Sequence, residues 1–106
     1  MILESAVLDV VPGRREEFLA AFRQARPLIA AQPGFLALRL LPCLDPGRES
    51  RFLLQVEWQR VEDHTEGFRR SPEYAQWREL LHPYYDPFPL VEHYGEPVAG
   101  SRPGPA

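Results

Sequence analysis

"FLALRLLPCLDPGRESRFLLQVEWQ", residues 35–59, holds two apolar-rich extended runs, 35–44 and 51–59, around a segment in which Asp45, Pro46 and Gly47 supply turn chemistry. The two runs read as a β-hairpin. In the second, Phe52, Leu54, Val56 and Trp58 share one face and Arg51, Leu53, Gln55 and Glu57 the other, the period of a half-buried strand. Upstream, 2–11 is rich in Val, Leu and Ile and closed by Pro12 and Gly13, which predicts a first strand. From Arg14 the period lengthens: Phe18, Phe22, Ala25 and Ile29 fall on one helical face, and the run "QPGF" (32–35) ends the helix. Pro27 removes a backbone donor inside it and predicts a kink, not a second helix.

Downstream, Val61, His64, Thr65 and Phe68 recur at spacings of three and four, so a helix over 61–70 turns the imidazole of His64 inward. Ser71 followed by Pro72 predicts a new helix start, with Tyr74, Trp77 and Leu81 as its apolar stripe. "HPYYDPFP" (82–89), with three prolines, predicts an ordered aromatic loop. A last strand is expected over 90–98, and "AGSRPGPA" (99–106) has the composition of a flexible C-terminal tail. The order strand, helix, strand, strand, helix pair, strand is the split βαβ arrangement of an α+β, ferredoxin-like fold with a four-stranded antiparallel sheet. Its helices cover one sheet face. The other is expected to carry Leu53, Phe35, Ala37 and Leu41, and a second sheet is the natural cover, which predicts a homodimer.

The chain has 106 residues, enough for one domain and one enclosed small-ligand site. A net charge of −3 and the lack of a basic cluster interleaved with aromatics argue against nucleic acid as a partner. Cys43 stands alone, which suits a reducing, cytoplasmic compartment, and no signal-peptide pattern or membrane-length apolar run is legible. His64, His82, His93 and Cys43 lack metal-site spacing, and no glycine-rich phosphate loop follows a strand, so neither metal nor cofactor is expected.

"FLLQVEWQRVEDHTEGFRRSPEYAQWRELL" (52–81), with "PGF" (33–35) after the first helix and "VEHY" (91–94) near the end, resembles the antibiotic biosynthesis monooxygenase domain family, the dimeric α+β barrels. The resemblance spans residues 2 to about 98, and residues 1–98 are expected to form the domain. It implies a dimeric barrel and small-molecule chemistry; members include quinone-forming oxygenases, haem-degrading enzymes, signal-molecule isomerases and proteins with no known substrate. Placed on the haem-degrading pattern of asparagine, tryptophan and histidine, the chain has Ala6, Phe68 and Arg78. The quinone-forming pattern is closer, with Trp58 at the strand tryptophan, His64 near a helix tyrosine, Arg78 near an arginine and Leu54 in place of an asparagine.

An oxygenase without cofactor draws its electrons from the substrate, so the protein must supply a base, a dry pocket and donors for the developing oxyanion. The expected roles are His64 as base, Trp58 and Arg78 as donors, and Phe68, Tyr74, Trp77 and His93 as walls around a small aromatic ligand. Each also has a plain structural use: His64 as a hydrogen-bonded core histidine, the tryptophans and Phe68 as packing, Arg78 as a surface charge, His93 as a residue of the dimer face. The expected function is a small cofactor-independent monooxygenase acting on an aromatic or enolic, polyketide- or quinol-like molecule. The alternative is a non-catalytic dimeric ligand-binding or stress-related protein of the same fold.

Overall fold

The computed structural model describes residues 1–104. Its elements are β1 (Ile2–Asp9), α1 (Arg15–Ala30), β2 (Phe35–Pro42), β3 (Arg51–Trp58), a π-helical turn (Asp63–Phe68), α2 (Pro72–Leu81), a short 3-10 turn (His82–Tyr84) and β4 (Val91–Tyr94). The strands form one antiparallel sheet in the order β2-β3-β1-β4, the ferredoxin-like topology expected from the element order.

Alternation along each strand separates the two sheet faces. Ile2, Glu4, Ala6 and Leu8 of β1 lie opposite Trp58, Val56, Leu54 and Phe52 of β3, and this face is covered by α1 and α2. From α1 it receives Phe18, Phe22, Ala25 and Ile29, as the helical period predicts, together with Ala21. Helix α1 continues across Pro27 to Ala30, so the proline does not divide it.

Three local departures decide where side chains point. Phe35 pairs with Trp58 but Ala37 with Glu57, so Leu36 is an extra residue in β2 and the alternation flips there. Phe35, expected on the open face, is thereby turned to the helix face, where its ring meets Trp58 edge-on at 5.9 Å. Ala37 and Leu41 do lie on the open face, beside Leu53, Leu3 and Val7. Second, the helix expected over 61–70 widens after its first residues into the π turn. The Arg69 N–H donates to the His64 carbonyl, five residues back, at 3.1 Å. Third, β4 ends at Tyr94, short of the expected residue 98, because Tyr94 already lies opposite Leu3 and β1 runs out beyond it.

Two contacts fix the ends of the π turn. Gly34, at φ +83°, lies so close to Asp63 that a Cβ there would collide with its carboxylate. At the far end Ser71 takes the extended backbone of an N-cap, but its Oγ donates to the Phe68 carbonyl at 2.7 Å and does not cap α2. The 82–89 segment is ordered as expected and zips onto the end of β1: Tyr85 bridges Val10, and the Asp86 N–H donates to the Asp9 carbonyl at 3.0 Å. Its first residues form the 3-10 turn, a piece of regular structure not expected there. Of the expected tail, 105 and 106 lie outside the described residues.

Candidate functional site

Between the helix face of the sheet, the π turn, α2 and the aromatic segment lies a cavity of about 410 Å³. Its floor is Glu4, Ala6, Leu8, Leu54 and Val91 from the sheet, and its walls are His64, Phe68, Arg69, Tyr74, Trp77, His82, Tyr85 and Phe88. The walls are built edge to face. Phe68 meets Tyr74 at 5.2 Å and Trp77 at 5.5 Å, both nearly perpendicular, and His82 meets Phe88 at 4.9 Å in the same way. A slightly larger hollow of about 440 Å³ opens on the other sheet face, beside Met1, Arg39, Gln55 and Glu96, and contains no comparable cluster of buried ionisable groups.

At the cavity floor three elements bring together a polar trio. Glu4, on the helix face of β1 and only 5% exposed, accepts a hydrogen bond from Trp58 Nε1 at 3.0 Å. His64, 3% exposed, drops from the π turn onto Trp58 with its ring nearly parallel at 5.7 Å. Its Nε2 lies 3.4 Å from the other Glu4 oxygen, and its Nδ1 lies 2.8 Å from Nε2 of His93. No buried side-chain nitrogen or oxygen among the described residues lacks a partner.

Burial governs the charges. It pushes the Glu4 carboxyl up to about 7, against the opposing pull of the Trp58 hydrogen bond and the Arg69 charge. It holds His64 down at about 3, helped by Arg69 and His93, so that ring is neutral at ordinary pH. His93 and His82 are lowered by burial as well, and Tyr85 is raised by it, so at each of these groups burial opposes the charged form.

His64, Phe68, Tyr74 and Trp77 therefore line the cavity, and His93 touches it through His64. Trp58 lies beneath, fully buried, with its N–H committed to Glu4 and not free to meet a ligand. Arg78 is exposed on the outside of α2, its guanidinium 5.9 Å over the Tyr74 ring; the cation at the cavity is Arg69. Burial thus disfavours a proton on His64 and favours one on Glu4, the carboxyl that His64 faces across the cavity floor. Among the described residues no group of three His, Cys, Asp or Glu side chains is arranged to hold a metal ion.

A profile described as antibiotic biosynthesis monooxygenase matches residues 1–80. The chain belongs to the antibiotic biosynthesis monooxygenase family. It is 47% identical over 94 residues to YczJ of Bacillus subtilis strain 168, an uncharacterized protein, across 89% of this chain and 97% of that one. Among solved structures it is similar to a protein of Bordetella bronchiseptica provisionally described as an antibiotic biosynthesis monooxygenase. That match has 32% identity and a TM-score of 0.84 over 92% of this chain and 97% of the other. A variant of SnoaB, a cofactor-independent oxygenase of Streptomyces nogalater, superposes with a TM-score of 0.77 at 15% identity, covering 92% and 94% of the two chains, a likeness of fold. Within the family fold, the cavity is enclosed by the second half of the chain against β1, and Leu54 is part of its floor. No helix among the described residues is long and apolar enough to cross a membrane.

Proposed function

We propose that this family member is a cofactor-independent monooxygenase acting on an aromatic or enolic small molecule, of polyketide or quinol type. The observation that carries the reading is the Glu4–His64 pair at the floor of a cavity walled largely by aromatic rings, with Arg69 beside them. An anthrone shows what such a site can do. Loss of a proton from its methylene gives an electron-rich enolate, which adds O₂ at carbon; the hydroperoxide then loses water. Across the reaction the CH₂ becomes C=O, one oxygen atom is retained, and the other leaves as water with both hydrogens. Glu4 is the group poised to take the first proton, and Phe68, Tyr74 and Trp77 exclude water. The Arg69 charge favours the enolate oxyanion. His64 acts beside Glu4 as a neutral partner, and Trp58 acts through its hydrogen bond to Glu4.

The test is oxygen uptake with a panel of anthrones and naphthohydroquinones under ¹⁸O₂. The expected result is accelerated oxidation with label in the new carbonyl, abolished in a folded Ala6→Leu variant whose larger side chain fills the floor. No acceleration across the panel, or carbonyl oxygen drawn from water, overturns the reading. Leu54, where quinone-forming members carry an asparagine, favours a second reading, ligand binding without turnover. Saturable quinone binding with no oxidation would select it.

The open sheet face supports a homodimer packed sheet against sheet, since no helix among the described residues covers the side of the sheet that carries Leu3, Val7, Ala37, Leu41 and Leu53. The lone Cys43 is in keeping with a reducing, cytoplasmic setting.

A further inference from the structure

We propose that Glu4, His64 and His93 form a proton relay leading from the cavity floor to solvent. Glu4 and His93 face each other across the β1–β4 pairing, and His64 descends from the π turn to touch both, Nε2 at 3.4 Å from Glu4 and Nδ1 at 2.8 Å from His93. Glu4 and His64 are buried, whereas His93, on the edge strand β4, is half-exposed. The three thus span from the enclosed cavity to the surface, and both nitrogens of the middle ring are engaged.

A contact of 2.8 Å between two imidazole nitrogens holds one proton. With Glu4 ionised, His64 turns an Nε2–H toward the carboxylate, and its bare Nδ1 accepts from the His93 Nε2–H. With Glu4 protonated, the acid O–H faces a bare Nε2, and the His64 Nδ1–H donates to His93. The charge on Glu4 therefore sets the tautomer of both rings. Outward transfer breaks the Glu4 O–H and forms Nε2–H on His64, breaks Nδ1–H on His64 and forms Nε2–H on His93, and releases the His93 Nδ1 proton to water. One proton leaves, and when the moves are concerted no ring carries net charge. That suits a site where burial and the Arg69 cation both oppose imidazolium at His64. The other groups facing the trio are the Trp58 N–H on β3, which holds Glu4 in place, and Tyr74, His82 and Tyr85 across the cavity, which have no hydrogen bond to it among the described residues. That the relayed proton comes from a substrate rests on the oxygenase reading; the relay itself does not.

The test uses the substrate-free protein, with ¹⁵N-labelled histidine read by NMR and the Glu4 carboxyl read by its infrared C=O band. We expect the tautomers of His64 and His93 to invert together, at the pH where the Glu4 band disappears, and to stay fixed at all pH in Glu4→Gln. Rings that hold their tautomers while Glu4 ionises, or that still invert in Glu4→Gln, overturn the relay. On an anthrone, His93→Gln is expected to lower kcat about tenfold or more with KM unchanged, and imidazole buffer to restore it. An undiminished kcat in that variant also overturns the relay. If the wild type oxidises no anthrone, it is the oxygenase reading that fails, and the tautomers alone decide the relay.

Discussion

Glu4 and His64 meet in the same dry place, and burial moves them in opposite directions, Glu4 from an ordinary 4.5 up to about 7 and His64 from 6.5 down to about 3. Between pH 4.5 and 7 the folded chain holds the Glu4 proton while the unfolded chain has released it, so the folded state loses stability as pH rises through that window. For His64 the unfolded chain binds the proton first, so that contribution is whole above 6.5 and is lost as pH falls toward 3. The pair is at its most stable between, with the acid protonated and the imidazole neutral. Glu4→Gln keeps an acceptor for Trp58 and cannot ionise. Urea unfolding should therefore show the variant gaining on the wild type by on the order of 2 kcal/mol between about pH 5 and pH 8. Parallel curves across that range would contradict the assignment. His64 stood out in the sequence as an ionisable residue on an apolar helical stripe, and it is where that stripe puts it. Glu4 carries the same signal, a carboxylate among Ile2, Ala6, Leu8 and Val10, but the opposite face of that strand, with Ser5 and Asp9, is mixed as well, which masks it in the sequence. Arg78 sits one position beyond Trp77 on α2, and that single step of about 100° turns it toward solvent.

At the scale of elements, the hairpin, both α-helices and the strand order follow from period and punctuation, because long amphipathic runs leave few alternatives. The irregular pieces do not. Val61, His64, Thr65 and Phe68 keep the same spacing whether the segment is α or π, so the wide turn was illegible; and "FLALRLL" is apolar at nearly every position, which hides the extra residue at Leu36. The glycine of "PGF" has a specific reason to be glycine, since the π turn is seated against it through Asp63. Gly34→Ala should cost about 2 kcal/mol or more, from the left-handed backbone and the collision together. Adding Asp63→Ala removes the collision and leaves the backbone cost, so the double variant should be more stable than the two single losses summed. Strict additivity in a double-mutant cycle would show that the two sites do not touch.

For the whole molecule, the balance of apolar surface decides the assembly. The helices spend their apolar faces on one side of the sheet; on the other Val7 remains 44% exposed and Leu41 37%. The alternation of β3 makes this legible in the sequence, since Leu53 faces away from the core, whereas the bulge at Leu36 that turns Phe35 inward is not. Light scattering at micromolar concentration is expected to give a dimer. Val7→Glu combined with Leu53→Glu is expected to give a monomer whose far-UV circular dichroism is unchanged, because neither residue belongs to the helix-side core. A wild-type monomer would refute the sheet-to-sheet packing.

The hydrogen bond from Trp58 to Glu4 gives the protein a built-in optical reporter. The chain has two tryptophans, so Trp77→Phe leaves one chromophore, its pyrrole nitrogen 3.0 Å from the carboxyl whose charge matters. A negative charge at that end of the indole shifts the energy of its excited state. The emission maximum should trace a single sigmoid with its midpoint near the Glu4 value of about 7, and the sigmoid should vanish in Glu4→Gln. A ligand that enters the cavity and changes the protonation of its floor would then announce itself as a colour change, with no label attached to either molecule.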